Sequence, residues 1–280
     1  MQASDVMTSP VFIVAPTENV AHARNLMLKH KISRLPVMEG DVLRGIITKK
    51  DIGLRLRQCE PIWRRRPIDA IPISLIMTPD PVSVSPDTGI REIAALMVAQ
   101  AISGVPIVEN GAVSGIVTKS DLMKSSLIGH LDAKVSDLME DAIMISRYHS
   151  LDHIIDLISE RYDKLVVVNN DGTLAGVITE TNLAFFQYGK TDKNGLPEKD
   201  VTMLRKEETA GRKYYRHVTD VSAIAEDLMT KPVMTITSDA PIREVVQIMR
   251  DQHVNSVVVI EGNEIKGIVK RDDIIREVAK

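Results

Sequence analysis

Apolar and polar residues alternate along the chain in a pattern that returns four times. Around residue 83, "PVSVS" alternates apolar and polar residues, which is typical of a half-buried strand. The following residues have helical spacing, and two further short strands flank the turn-forming "ENG" at Glu109–Gly111. The apolar stripe of this helix consists of Ile90, Ile93, Leu96 and Met97. The same spacing returns near the end of the chain in Ile242, Val245, Ile248 and Met249. With a last helix, the predicted unit is β-α-β-β-α, of the α+β class.

Two landmarks set the length of the repeat. A methionine opens each unit, and a glycine begins an octapeptide of the type "GIVTKSDL" that closes it. Each glycine follows its methionine by 37 or 38 residues. The pairs are Met7 and Gly45, Met77 and Gly115, Met139 and Gly176, and Met229 and Gly267. The predicted repeats are 1–58, 74–127, 136–187 and 224–280, with linkers at 59–73 and 188–223. A unit this short buries little surface alone, so we expect the repeats to pair.

Composition limits the class of protein. The chain has 280 residues, of which 44% are apolar, enough for globular cores. A formal charge of −3 gives no overall attraction to nucleic acid or to an anionic membrane. Cys59 is the only cysteine, which excludes an intramolecular disulfide and a multi-cysteine zinc site. Without a signal-like start or an apolar segment of roughly 18 residues, we expect a cytoplasmic protein with no membrane contact.

The landmarks resemble those of cystathionine-β-synthase (CBS) motifs. Three features match that family's pattern, and together they cover essentially the whole chain. They are the opening h-M-T, where h is an apolar residue, the strands "LPV" at 35–37 and "GVPIV" at 104–108, and the closing G-h-h-T-x-x-D. The arrangement is similar to the γ subunit of AMP-activated protein kinase and to stand-alone four-motif proteins of archaea. The resemblance implies two Bateman modules, of motifs one and two and of motifs three and four. It also implies clefts between paired motifs that bind AMP, ADP, ATP or S-adenosylmethionine-type ligands, with no required cofactor.

The T-x-x-D segments of repeats one and two suit an adenosine nucleotide. A carboxylate accepts hydrogen bonds from both ribose hydroxyls with charge assistance, the role assigned to Asp51 and Asp121. Thr48 and Thr118, with the N–H groups of the first helical turn, would hold phosphates. The same pattern is also a capping box, worth about 0.5–2 kcal/mol. Because it recurs at a fixed distance from the other landmarks, we expect ligand binding and capping together.

Repeats three and four depart from this pattern. Thr179 is followed by Asn182, whose amide can still bond a diol but without charge assistance. Repeat four keeps Asp273 and has Lys270 at the threonine position, where it is either a phosphate contact or a solvated surface charge. These four residues are the predicted ligand residues of repeats three and four, and the second module has the weaker case for binding.

The base and the phosphates need further contacts. We expect the base to lie against the entry strands, near Ile13 in repeat one and near Val82 and Val84 in repeat two. Arg34, just before a central strand, is the candidate phosphate-contacting cation; the alternative is an exposed charge at a strand edge. The matching places in the other repeats are held by Gly104, Lys164 and Ser256.

Both linkers are basic. Arg64, Arg65 and Arg66 follow the only tryptophan, Trp63, and the second linker contains "GRKYYRH". Basic residues interleaved with aromatics can hold phosphates and stack bases, although most charge runs are solvated loops. The two functional alternatives are that these segments close over ligand phosphates, or that they contact RNA, a ribosome or an acidic partner.

No arrangement for catalysis is present in the sequence. The seven histidines are scattered, and neither paired metal-ligand spacing nor a G-x-S-x-G or P-loop pattern occurs. We therefore predict a regulatory, adenine-nucleotide-sensing protein without enzymatic activity or metal, which acts on an unidentified protein partner and forms a homodimer. The competing hypothesis is an RNA- or ribosome-associated protein that uses its basic linkers.

Overall fold

The computed structural model describes residues 1–54, 70–125, 128–129, 131–160, 162–186, 201–208, 211–218 and 223–279, with backbone only for 160, 201–208 and 211–218. Each repeat has the predicted β-α-β-β-α order. The first strand is short, and in repeats one and two it is reduced to single bridges, Val14 to Val37 and Val84 to Ile107. A short helix that the sequence pattern did not predict precedes it in every repeat. Within the described ranges, no helix combines the length and apolar character needed to cross a bilayer.

The elements are as follows. Repeat one contains α1 (Ala3–Val6), α2 (Val20–Lys29), β1 (Arg34–Glu39), β2 (Val42–Thr48) and α3 (Lys49–Leu54). Repeat two contains a 3-10 helix (Ile73–Leu75), β3 (Thr78–Pro79), α4 (Ile90–Ala99), β4 (Gly104–Glu109), β5 (Ala112–Thr118) and α5 (Lys119–Lys124). Repeat three contains α6 (Val135–Leu138), β6 (Met144–Ser146), α7 (Leu151–Glu160), β7 (Lys164–Val168), β8 (Leu174–Thr179) and α8 (Glu180–Ala184). A hairpin of β9 (Val201–Glu208) and β10 (Gly211–Val218) precedes repeat four. Repeat four contains α9 (Ala225–Leu228), β11 (Thr235–Ile236), α10 (Ile242–Asp251), β12 (Ser256–Glu261), β13 (Glu264–Lys270) and α11 (Arg271–Val278).

The predicted apolar stripes lie on the buried faces of their helices. In α4, Ile93 and Met97 are completely buried, and Leu96 at the edge of the stripe is partly buried. Val245 and Met249 take the same places in α10. Each such side chain contributes about 1.5–3 kcal/mol through burial, so these helices are held chiefly by packing.

The central hairpin of each repeat places the ligand motif. In repeat two, Asn110 and Gly111 have φ values of 52° and 84°, the left-handed pair that a two-residue hairpin turn requires. The antiparallel register then sets Gly104 opposite Thr118. The equivalent pairs are Arg34 and Thr48, Lys164 and Thr179, and Ser256 and Lys270. The residue that begins the first strand of each hairpin therefore lies beside the start of the closing helix.

The opening methionine of one repeat lies over the octapeptide glycine of its partner. A Cβ added to Gly45 would stand 2.7 Å from Sδ of Met77, and one added to Gly115 would stand 2.9 Å from Cγ of Met7. Gly176 has the same contact with Met229, whereas a Cβ added to Gly267 would stand 2.6 Å from the backbone oxygen of Glu140 and 3.5 Å from Sδ of Met139. Glycine is needed because a side chain would displace the partner's methionine. The predicted pairing into module one (repeats one and two) and module two (repeats three and four) is confirmed.

The predicted linkers differ from the structure in two places. Ile71 and Ile73 were assigned to a linker, but both are buried in the core of repeat one, because the chain entering repeat two crosses the start of α2. The second linker includes the β9–β10 hairpin, since its two halves pair residue by residue from Val201 opposite Val218. Trp63 and the arginines 64–66 fall outside the described residues.

The two modules meet through their closing helices. Helix α3 packs on α8 so closely that a Cβ added to Gly53 would lie 2.8 Å from Cβ of Leu183. Helix α11 packs on α4 and α5, and repeats two and four share one apolar core. The four repeats therefore close a ring in which the T-x-x-D helices of facing modules adjoin.

Candidate functional site

Each cleft combines the closing helix of one repeat with the entry segment of its partner. Backbone bridges join Ile46 to Thr78 in module one, and Ile116 to Thr8. Module two repeats this, with Val177 joined to Thr230 and Ile268 joined to Glu140. We number the clefts by the repeat that supplies the helix. The first contains Thr48 and Asp51, the second Thr118 and Asp121, the third Thr179 and Asn182, and the fourth Lys270 and Asp273.

The aspartates of module one cap their helices through one oxygen only. Oδ2 of Asp51 accepts from the Thr48 N–H at 2.7 Å and from its hydroxyl at 2.6 Å. Oδ2 of Asp121 accepts the same two bonds from Thr118, at 2.9 and 2.6 Å. The capping prediction is confirmed, and Oδ1 of both receives no hydrogen bond from the described residues. Burial raises the pKa of Asp51, and the bonds from Thr48 oppose that change.

These bonds change the role expected of the threonines. Each hydroxyl has one hydrogen, and in Thr48 and Thr118 it is given to the neighbouring aspartate. It is therefore not available to donate to a phosphate. The threonines fix the aspartates in place, and the phosphate contact is left to the cations or to the N–H groups of the first helical turn.

Arg34 lies between the first and second clefts. It stands opposite Thr48, and its guanidinium extends over Gly104, where an added Cβ would lie 2.7 Å from Cδ of Arg34. The side chain is half-buried, and its Nε is buried with no partner among the described residues, so the exposed strand-edge alternative is wrong. Burial lowers the pKa of Arg34 to about 10, and nearby Arg271 lowers it further, against Glu180 and Asp121.

Other cations surround Arg34. Burial and the charge of Arg34 lower the pKa of Lys49. Burial also lowers the pKa of Arg271, which comes from the opposite module. Three neighbouring cations whose charged forms are disfavoured would gain from a bound anion. Acidic neighbours partly offset them: Glu180 acts on Arg34 and Lys49, and Asp272 and Asp121 act on Arg34 and Arg271. Burial raises the pKa of Glu180 itself.

Two of the three predicted base-contacting residues remain uncovered. Ile13 is 50% exposed and Val82 42% exposed, on the entry strands of the second and first clefts. Val84 packs against the core of repeat two, because its strand partner Ile107 is completely buried, so it does not face a base.

The third cleft is bridged by Asn182. Its Oδ1 accepts from the Thr179 N–H at 2.8 Å and from the Thr179 hydroxyl at 2.9 Å. Its Nδ2 donates to Leu228 O at 2.8 Å and to Thr230 Oγ1 at 2.9 Å. Asn182 was predicted to bond a ribose diol, but both of its hydrogens and both principal acceptor positions are already used within the protein.

The fourth cleft is bridged by an ion pair. Lys270 Nζ lies 2.7 Å from Glu140 Oε2, and Arg276 holds the other Glu140 oxygen at 2.8 Å. Lys270 is therefore not a solvated surface charge, and its contact with phosphate stays a prediction. Asp273 is 2% exposed and its Oδ2 caps the helix. Its Oδ1 accepts no hydrogen bond from the described residues and lies 3.5 Å from the Arg276 guanidinium. Burial, together with Glu140, raises the pKa of Asp273 to about 7, against the helix-capping bond from the Lys270 N–H.

All four repeats match one known protein family. Residues 3–54, 73–127, 135–189 and 225–280 each match the CBS domain. The chain belongs to the CBS-domain family. Protein MJ1225 of Methanocaldococcus jannaschii is 24% identical over 285 residues, which is 96% of this chain and 95% of that protein. Protein MJ1404 of the same organism is 25% identical over 98% of this chain, which spans only 61% of MJ1404.

Solved CBS structures show the same fold. The crystal structure of MJ1225, a proposed archaeal homologue of the AMP-activated protein kinase γ subunit, aligns over 99% of both chains with a TM-score of 0.79 and 19% identity. An uncharacterized conserved protein of Pyrococcus horikoshii aligns over 99% of this chain with a TM-score of 0.60 and 17% identity. Because both identities are below 20%, these two structures show only that the CBS fold is shared.

Sequence reasoning missed the residues between the CBS modules. Lys119 Nζ lies 2.7 Å from Asp272 Oδ2, and Arg271 donates to Ser120 Oγ at 2.7 Å. These are the middle residues of the T-x-x-D segments, which the sequence analysis left without a role. Glu140 was also missed, although its replacement of the threonine in the h-M-T opening was a visible signal.

Proposed function

We propose that this CBS protein is a cytoplasmic regulatory protein that senses adenine nucleotides in module one. The observation that carries the proposal is the position of Arg34, a half-buried cation with an unpartnered Nε between the aspartates of the first and second clefts. Oδ1 of Asp51 or Asp121 would accept from the ribose diol, Val82 or Ile13 would cover the base, and Arg34 would contact phosphate. The proposal is for a binding protein and includes no catalytic step.

The contacts beside the clefts support a regulatory output. Thr118 and Asp121 frame Lys119, whose ammonium pairs with Asp272 of the other module. A ligand that changes the position of Asp121 would therefore alter a contact between modules. Ligand binding can shift the modules only through different affinities for two arrangements, and this helix touches both the ligand and the interface.

Charge favours phosphorylated ligands over S-adenosylmethionine. Glu180, Asp121 and Asp272 offset part of the charge of Arg34, Lys49 and Arg271 beside the second cleft. The charged forms of these cations are disfavoured and would gain from a bound anion, whereas a sulfonium adds positive charge. We expect AMP, ADP and ATP to bind and S-adenosylmethionine to bind more weakly. The proposal also includes an unidentified regulated protein and a homodimer. Light scattering with and without ligand would test the dimer.

Calorimetric titration of the wild type and of Arg34→Met with AMP, ADP, ATP, S-adenosylmethionine and adenosine tests the proposal. Arg34→Met keeps the apolar stem and removes the charge, so AMP affinity should fall roughly fivefold, because Lys49 and Arg271 retain part of the positive field. Adenosine, which has no phosphate, should lose little. Absence of heat with all five ligands, or equal losses for AMP and adenosine, would contradict the proposal.

RNA binding is the second candidate function, and the β9–β10 register favours it. Arg205 lies opposite Tyr214, and Arg212 and Arg216 share their face of the hairpin. Lys206 and Lys213 lie opposite one another on the other face. A ribbon face with arginines and a tyrosine can contact phosphates and stack on bases.

Co-sedimentation with RNA or ribosomes at increasing salt tests this second candidate. Binding through the hairpin should weaken steeply with salt, because phosphate contacts release counterions. Arg212→Gln with Arg216→Gln should reduce it more than the matched control, Lys206→Gln with Lys213→Gln, which removes equal charge from the other face. Equal effects of the two pairs would exclude face-specific RNA recognition.

A further inference from the structure

Both clefts of module two are crossed by side-chain bridges at the position of the ligand motif. In the third cleft, Asn182 donates to Leu228 O and Thr230 Oγ1 of the partner repeat, at 2.8 and 2.9 Å. In the fourth, Lys270 reaches Glu140 of the partner repeat at 2.7 Å. The chemistry differs, but each bridge joins the closing helix or its cap to the partner's entry segment.

The ion pair of the fourth cleft takes the places of two threonines. Lys270 stands where Thr118 stands in the second cleft, and Glu140 stands where Thr8 stands. Glu140 also binds Arg276, so its carboxylate is held at both oxygens. Burial would raise the pKa of Glu140, but the bonds from Lys270 and Arg276 outweigh it and lower the pKa to about 2.

Little space remains beside this pair. The cavity that borders Lys270 and Glu140 has a volume of about 70 Å³, with Ile143, Tyr162 and Lys164 among its lining residues. Pockets for ligands of nucleotide size have volumes of roughly 300 Å³ or more. Lys164, at the place of Arg34, is itself paired with Asp163 at 2.6 Å.

Module one lacks corresponding bridges. Among the described residues, no side-chain hydrogen bond or ion pair links Thr48 or Asp51 to residues 77–80, or Thr118 or Asp121 to residues 7–10. The entry segments are joined there by backbone bridges, and by Ser9 Oγ, which donates to Ser114 O. The carboxylates of its clefts therefore keep one oxygen free of such bonds.

We propose that these two bridges act as clasps that keep module two closed, so that nucleotide binds in module one alone. The proposal rests on the proposed function for its ligand and adds which clefts are used. Module two is then the fixed half of the ring, and Glu140, Asn182 and Lys270 determine which clefts accept ligand.

AMP stoichiometry of the full chain, measured by calorimetry and native mass spectrometry, tests the clasps. The wild type should bind at most two AMP, and Asp51→Ala with Asp121→Ala should weaken binding at both sites. Glu140→Thr with Lys270→Thr restores the threonines of the other clefts, leaves Asp273 in place, and should add one AMP. The reciprocal variant, Thr8→Glu with Thr118→Lys, should remove one from module one.

A thermal double-mutant cycle tests the ion-pair clasp without ligand. Glu140→Thr and Lys270→Thr should each lower Tm by several degrees, and the double variant by less than their sum, because the Lys270–Glu140 ion pair can be lost only once. If the wild type binds no AMP, the proposed function is wrong. The double-mutant cycle then decides by itself whether the ion-pair clasp exists. Three or four AMP per wild-type chain, no gain in the double variant, or additive Tm losses would overturn the clasp.

Discussion

Asp121→Ala is expected to weaken AMP binding about 10- to 150-fold, which corresponds to about 1.5–3 kcal/mol for a hydrogen bond to a charged group. Oδ2 of Asp121 already accepts two bonds from Thr118, so the ligand would use Oδ1. The substitution also removes the helix cap, so Tm should fall together with affinity. Calorimetry and thermal unfolding of the same sample measure the two effects, and 2′-deoxy-AMP, which lacks one diol hydroxyl, should lose less affinity than AMP.

Asp137→Ala is the matched control for the cap. Asp137 occupies the same position in α6, where its Oδ2 accepts from the Lys134 N–H at 2.9 Å, and it lies outside the clefts. This control should lower Tm and leave AMP affinity unchanged. If Asp121→Ala also leaves the affinity of the folded protein unchanged, its aspartate is a cap alone and the main support for nucleotide sensing is lost.

Asp273→Asn is expected to stabilise the protein at pH 8 and to flatten its stability between pH 5 and 8. Because the pKa of Asp273 is raised from 3.8 to about 7 by burial and Glu140, the folded state binds this proton more tightly than the unfolded state. Stability therefore falls as pH rises from about 4 through 7, and levels off above it. Asparagine cannot ionise, so the variant should exceed the wild type by roughly 1–2 kcal/mol at pH 8 and match it below about pH 4.

Urea unfolding at several pH values measures this difference. The groups that face Asp273 are Glu140, Lys270 and Arg276, and all three remain in the variant. Asp137→Asn, at an exposed capping position, reports the effect of removing one carboxylate from a helix start. Parallel stability curves for wild type and Asp273→Asn would show that Asp273 is not protonated in the folded protein at neutral pH.

The repeat and its helices were predictable because they depend on local order. Apolar spacing from Ile90 to Met97 sets the buried face of a helix regardless of what covers it. Thr118 and Asp121 form a cap because both lie in one turn. The buried residues of the first linker, Ile71 and Ile73, were not predictable in the same way, since their burial depends on the helix that the chain happens to cross.

The candidate site was predicted in part. Asp51 and Asp121 stand at clefts, and Arg34 extends between them, but the expected phosphate contact of the threonines fails because each hydroxyl hydrogen is already used. Val84 was misplaced because the short entry strand pairs with the core at that residue. The sequence marked Asn182 and Lys270 as departures without indicating what they contact.

Four α+β repeats, their paired landmarks and the chemistry of each T-x-x-D segment could be predicted, since spacing and residue type are written along the chain. Only the folded protein reveals that the entry segment of one repeat covers the octapeptide glycine of its partner, and that the clefts are built from two repeats. It also decided that Lys270 finds Glu140, although 130 residues separate them in the sequence. The physical reason is range: helix periodicity and caps act within a few residues, whereas an ion pair or a free carboxylate oxygen depends on which distant segment folds beside it.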